Sequence, residues 1–105
     1  MTEHQNRAKG KVILPAGVTA DQIVEIANRH GAHNVRVFGS FARGEATPES
    51  DFDLLIELEP RRGLFDIVAI KLDLESLLGR KVDVLTVNSL SRYFRDDVLK
   101  EAVAL

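Results

Sequence analysis

Val37-Phe38-Gly39-Ser40-Phe41-Ala42-Arg43-Gly44 and, shortly after it, Ser50-Asp51-Phe52-Asp53-Leu54 are the two segments on which the reading of this chain turns. Asp51 and Asp53 flank Phe52 and lead into Leu54-Leu55-Ile56-Glu57-Leu58, an apolar run that reads as a buried strand. Strand side chains alternate between faces, so the two carboxylates point the same way, about 6.5 to 7 Å apart at the backbone. That separation suits one shared cation, or two cations held about 3.5 to 4 Å apart. Two facing carboxylates otherwise repel, and a hard divalent cation is their natural neutraliser. Taken alone, Asp-x-Asp at a strand entrance also describes a solvated edge or a turn cap. Joined to Gly39-Ser40, the pattern arises by chance on the order of once in 10⁵ starting positions. A chain of 105 residues offers far fewer starts than that.

Gly39-Ser40 sits where phosphate chemistry wants it. Asn34-Val35-Arg36-Val37-Phe38 reads as a short strand rich in β-branched and aromatic residues, and Gly39 ends it. Ser40-Phe41-Ala42-Arg43 then reads as the first turn of a short helix whose free N–H groups face whatever lies beyond the strand. Glycine permits close backbone approach and Ser40 adds a hydroxyl, a combination able to hold a triphosphate. A serine-capped strand-to-helix turn is the simpler account of the same residues. Arg43 follows one turn later, placed either to meet phosphate or to pair with Glu45, Glu49 or an aspartate of the site.

A third carboxylate joins these. Lys81-Val82-Asp83-Val84-Leu85-Thr86 reads as another strand, with Asp83 alternating against Val82 and Val84. If that strand lies beside the one carrying Asp51 and Asp53, Asp83 faces the same site. Otherwise it belongs on the solvent face of an edge strand, because burying an unpaired carboxylate is expensive.

With these residues in view, the chain resembles the minimal nucleotidyltransferases of the polymerase β superfamily, and in particular is similar to the MNT-domain antitoxins encoded beside HEPN-domain toxins. The resemblance covers residues 20 to 105. It implies an α+β, polymerase β-like nucleotidyltransferase fold, with a small mixed sheet and helices mainly on one face. It further implies two Mg2+ ions bound by Asp51, Asp53 and Asp83 as metal ligands and catalytic residues, and ATP as the substrate, with Gly39 and Ser40 on the nucleotide; Arg43 is a nucleotide-binding candidate by its position alone, beside the ion-pair alternative. The acceptor implied is a tyrosine of a cognate HEPN ribonuclease toxin, silenced by adenylylation. Two alternatives stay open: an antitoxin that neutralises its toxin by binding alone, and transfer to a small molecule.

Length and composition narrow the partners. At 105 residues the chain suffices for one core but not for two. Relatives that modify aminoglycosides or polymerise nucleotides generally carry further acceptor-binding domains, so the acceptor here is expected to be a folded macromolecule. A net charge of −2 and a pI near 5.9 give no basic footprint, and no direct nucleic-acid binding is expected. Cysteine is absent, and neither a signal peptide nor an apolar stretch long enough to span a membrane is present, so the expected location is cytoplasmic.

The organisation reads without repeats. Residues 1–11 are polar and aperiodic, an expected mobile tail before a single domain over 12–105. Thr19 is an N-cap with Gln22 as capping-box partner, Val18 and Ile23 form a hydrophobic staple, and Gly31 closes that helix. Gly44 to Ser50 is a turn-rich loop at the rim of the site. A helix from Leu64 to Leu78, ended by Gly79, carries apolar residues on more than one face, so part of it is available to a partner or to a second copy of the chain. A last helix from Leu90 to Val103 places Leu90, Phe94, Val98 and Ala102 at spacing four, to pack on the sheet.

Overall fold

The computed structural model describes residues 12–105, so the expected tail over 1–11 lies outside the described residues. In chain order the elements are α1 (Ala20–Arg29), β1 (Ala32–Phe38), α2 (Ser40–Arg43), β2 (Phe52–Leu58), α3 (Leu64–Leu78), β3 (Val82–Thr86), a 3₁₀ turn (Val87–Ser89), α4 (Arg92–Glu101) and β4 (Val103–Ala104). The four strands form one mixed sheet in the order β3-β2-β1-β4, with β1 antiparallel to β2 and β4, and β2 parallel to β3. This is the α+β arrangement expected from the sequence.

One face of the sheet carries the core. Phe52, Leu54 and Ile56 of β2, Val82 of β3 and Val35 and Val37 of β1 pack against Ile23 and Ala27 of α1 and Ile70, Leu74 and Leu78 of α3. α1 and α3 therefore cover the same side. The alternation of Phe52, Leu54 and Ile56 inward turns Asp53 to the opposite face, where the aspartates gather. In β1 the register slips between His33 and Arg36, with Asn34 at φ 51°. That bulge moves the inward positions from Ala32 to Val35 and Val37, so the strand is longer than the sequence pattern suggests and changes phase inside.

Caps are as local chemistry dictates. Gln22 N–H donates to Thr19 Oγ1 at 3.1 Å and Thr19 N–H donates to Gln22 Oε1 at 2.9 Å, the reciprocal box. Gly31, at φ 83°, follows α1 and donates to the Asn28 carbonyl. In α3, Asp66 accepts from Gly63 N–H at 3.0 Å, and Gly79 ends the helix in the left-handed region.

The last helix departs from its sequence pattern. α4 starts at Arg92, fully buries no side chain, and leaves Tyr93 and Phe94 exposed. Phe94 therefore does not pack on the sheet. The buried apolar residues of this region, Ala102 and Val103, lie after the helix, where Val103 pairs with Val37 in β4. Spacing of four cannot see that the chain leaves the helix at Ala102 to add an edge strand. α3 divides its broad stripe: Ile70, Leu74 and Leu78 are buried, whereas Leu64, Phe65, Val68 and Leu72 face outward.

Phe52 is fully buried, and its ring meets that of Phe41 edge to face at 5.1 Å, so it ties β2 to α2. Phe52→Ala is expected to cost about 3 to 5 kcal/mol, and Thr19→Ala about 1 kcal/mol, in urea unfolding at pH 7.

Candidate active site

Asp53 and Asp83 are direct register partners in the parallel β2·β3 pair, on the sheet face opposite the core. Parallel partners lie about 4.8 Å apart at the backbone, so two like charges stand side by side. Asp51 precedes β2, on the same side as Asp53 by strand parity. Asp53 and Asp83 thus stand side by side on two strands, with Asp51 two residues before Asp53. Among the described residues no three potential ligands already stand at metal-binding separation. Asp51 Oδ2 lies 4.0 Å from Lys81 Nζ, and that carboxylate is 43% exposed.

Crowding shows in the electrostatics. Burial, the neighbouring charges of Asp83 and Asp51 and a hydrogen bond to Asp83 push Asp53 from the ordinary carboxylate range up to about 6, with Arg43 opposing. Neither Asp53 nor Asp83 has an ion-pair partner among the described residues. The raised proton affinity of Asp53, hard oxygen donors on both strands and the lack of an ion-pair partner for Asp53 and Asp83 fit a divalent metal ion.

Neighbouring elements fix both strands. At the start of β3, Lys71 Nζ donates to the Val82 carbonyl at 2.6 Å and Val82 N–H donates to Glu75 Oε2 at 3.0 Å. Lys71 and Glu75 also pair with each other at 2.8 Å, so one turn of α3 grips the residue before Asp83. Beside Asp51, Arg80 donates to the carbonyls of Thr47 and Ser50 while its guanidinium lies 5.0 Å from the Phe41 ring centroid. Sequence reasoning missed Arg80, Lys71 and Glu75. The i,i+4 pairing of Lys71 with Glu75 was visible, but its backbone target was not.

Gly39 is required by geometry. Its φ is 76°, and a Cβ there would overlap Asp53 Oδ2 and lie 3.1 Å from Asp53 Cγ. The strand end thus brings backbone directly against the aspartate. Gly39 N–H donates to Glu101 Oε2 at 2.7 Å, so this amide already has a carboxylate partner. Ser40, by contrast, uses neither its N–H nor its hydroxyl in a hydrogen bond among the described residues. Arg43 resolves toward ion pairing: Nε meets Glu45 Oε1 at 3.0 Å and Nη1 meets Glu101 Oε1 at 3.0 Å. Of the partners considered from sequence, Glu45 is found and Glu49 is not. Glu101 was not foreseen, because nothing local links it to a turn 62 residues earlier.

Two substitutions test this geometry. Asp53→Asn removes a group whose fold-raised proton affinity makes wild-type stability greatest below the unfolded pKa and progressively lost as pH rises through about 6. In chelator-treated protein the variant should exceed wild type by on the order of 2 kcal/mol at pH 8 and by almost nothing at pH 4, in paired urea titrations. Gly39→Ala should cost about 1 to 3 kcal/mol in the same assay, from its left-handed backbone and the overlap with Asp53.

A family model described as nucleotidyltransferase domain matches residues 20–105. A Methanocaldococcus jannaschii protein provisionally named a protein adenylyltransferase is 43% identical over 82 residues, covering 78% of this chain and 88% of its own length. Protein adenylyltransferase MntA of Thermococcus cleftensis is 38% identical over 79 residues, covering 75% of this chain and 80% of the relative. A solved structure provisionally described as a minimal nucleotidyltransferase superposes with a TM-score of 0.76 at 47% identity, over 81% of this chain and 87% of that one. A toxin-antitoxin crystal structure with AMP-PNP shares the fold, with a TM-score of 0.71 at 18% identity over 81% of this chain and 70% of the other. The match spans the turn at Gly39-Ser40 and all three aspartates, and this chain belongs to the nucleotidyltransferase domain family.

Proposed function

We propose that this chain transfers AMP from ATP to a hydroxyl, that of a tyrosine, on a cognate HEPN ribonuclease toxin, and so acts as its antitoxin in the cytoplasm. The observation that carries the reading is the pairing of Asp53 with Asp83 across parallel strands, against the Gly39 turn. The names of the adenylyltransferase relatives support a protein as acceptor.

Asp51 and Asp53 would hold two magnesium ions, with Asp83 completing one shell; when bound, the ions would supply a lowered pKa for the attacking hydroxyl and positive charge for the departing pyrophosphate. Ser40 offers its N–H and hydroxyl to phosphate oxygens, which orients the chain of phosphates along the turn. Arg43 contributes a guanidinium at the same turn. The acceptor oxygen, its proton released to solvent, bonds to the α-phosphorus as the bond from that phosphorus to the bridging oxygen of pyrophosphate breaks. No protein nucleophile takes part, in keeping with a chain without cysteine.

No helix among the described residues is long and apolar enough to cross a membrane. The outward stripe of Leu64, Phe65, Val68 and Leu72 offers a surface on which a protein partner can rest.

The test incubates the chain with magnesium, labelled ATP and the product of the adjacent gene, and reads intact masses. The partner should gain one or more adenylate units, at a rate lowered at least about a hundredfold by Asp51→Asn with Asp53→Asn. Tight complex formation without mass gain would instead identify a binding antitoxin, and turnover without any protein partner would identify a small-molecule acceptor.

A further inference from the structure

Glu101 is the last residue of α4, and both of its carboxylate oxygens are taken up by the turn that follows β1. Gly39 N–H donates to Oε2 at 2.7 Å, and Arg43 Nη1 donates to Oε1 at 3.0 Å. The last turn of a helix presents carbonyl oxygens and the negative end of its dipole, so a carboxylate gains nothing there from its own helix. What holds Glu101 is the pair of donors across the gap. A backbone N–H beside a guanidinium is also what a phosphate oxygen seeks.

We propose that Glu101 is an internal anion seated on phosphate-binding groups of the nucleotide site, and that a polyphosphate must displace its carboxylate to engage Gly39 and Arg43. The inference rests on the nucleotidyl-transfer reading and deepens it by naming what regulates nucleotide entry. Three observations fit an exchange. Ala102 and Val103, directly after Glu101, are buried at 1% and 8% exposure, so the backbone is anchored and only the side chain needs to turn. That side chain is 29% exposed, with a path to solvent. Arg43 keeps a second partner in Glu45, at 3.0 Å from Nε, so its guanidinium stays placed when Glu101 leaves.

The chemistry then favours highly charged ligands. A tethered carboxylate competes at high effective concentration, and an incoming anion wins in proportion to its charge. The cost of displacing it is the same for every nucleotide whose phosphates take both groups, so Glu101 lowers nucleotide affinity without changing the order that ligand charge sets.

The test measures binding of ATP, ADP and AMP in magnesium by calorimetry, without acceptor protein, to wild type, Glu101→Gln and Glu101→Ala. Relief of competition should tighten ATP about tenfold to a hundredfold in both variants, and should tighten AMP by no more than ATP. Wild type that binds ATP while both variants bind it equally or more weakly would overturn the inference and leave nucleotidyl transfer standing. Wild type that binds no nucleotide would overturn both. A second measurement needs no variant: the carboxyl carbon resonance of Glu101 in labelled wild type should move on saturation with ATP, and an unmoved resonance would overturn the exchange.

Discussion

The parallel pairing of β2 with β3 is the constraint on which this molecule depends, because it fixes Asp53 opposite Asp83. A slip of one residue would carry Asp83 into the core and turn Val82 outward. Burial prevents the slip: Phe52, Leu54, Ile56 and Val82 are all inaccessible on the side covered by α1 and α3. Lys71 and Glu75 add a second lock by holding both backbone groups of Val82. The hydrophobic face thus sets a geometry that the polar face would not choose, since like charges side by side repel.

That conflict is the electrostatic signature of the site. Asp53 responds by binding its proton up to about pH 6, mainly through burial and then through Asp83 and Asp51. The fold supplies cations nearby but does not spend them on Asp53 or Asp83: Arg43 is taken by Glu45 and Glu101, Arg80 by carbonyl groups, and Lys81 reaches only Asp51, at 4.0 Å. Local and global preference conflict here, which is where a functional site is expected.

Glu101 links the end of α4 to the turn after β1. The strand β4 lies against β1, and this brings the end of α4 beside the Gly39 turn. Residues close to the site therefore come from the turn after β1, from β2 and β3, and from the final turn of α4. α4 is the helix that buries no side chain completely, so the element carrying Glu101 is also among the least anchored by the core.

Much was legible in the sequence because it rested on local rules. The alternation that sends Phe52, Leu54 and Ile56 into the core turns Asp53 to the other face; Thr19 with Gln22 marked the start of α1, and Gly79 the end of α3. Gly39 was legible as a strand-ending glycine, though its reason, contact with Asp53, was not. Tertiary structure alone decided what depends on distant partners: the β2·β3 register, the bulge at Asn34, the turn to β4 after Ala102 that leaves Phe94 exposed, and the seating of Glu101 on Gly39 and Arg43. Sequence by itself determines backbone periodicity, caps and the chemical groups available, because these act within a few residues. Which charges finally meet is set by strand order, since only the packed sheet brings residue 101 to residue 39.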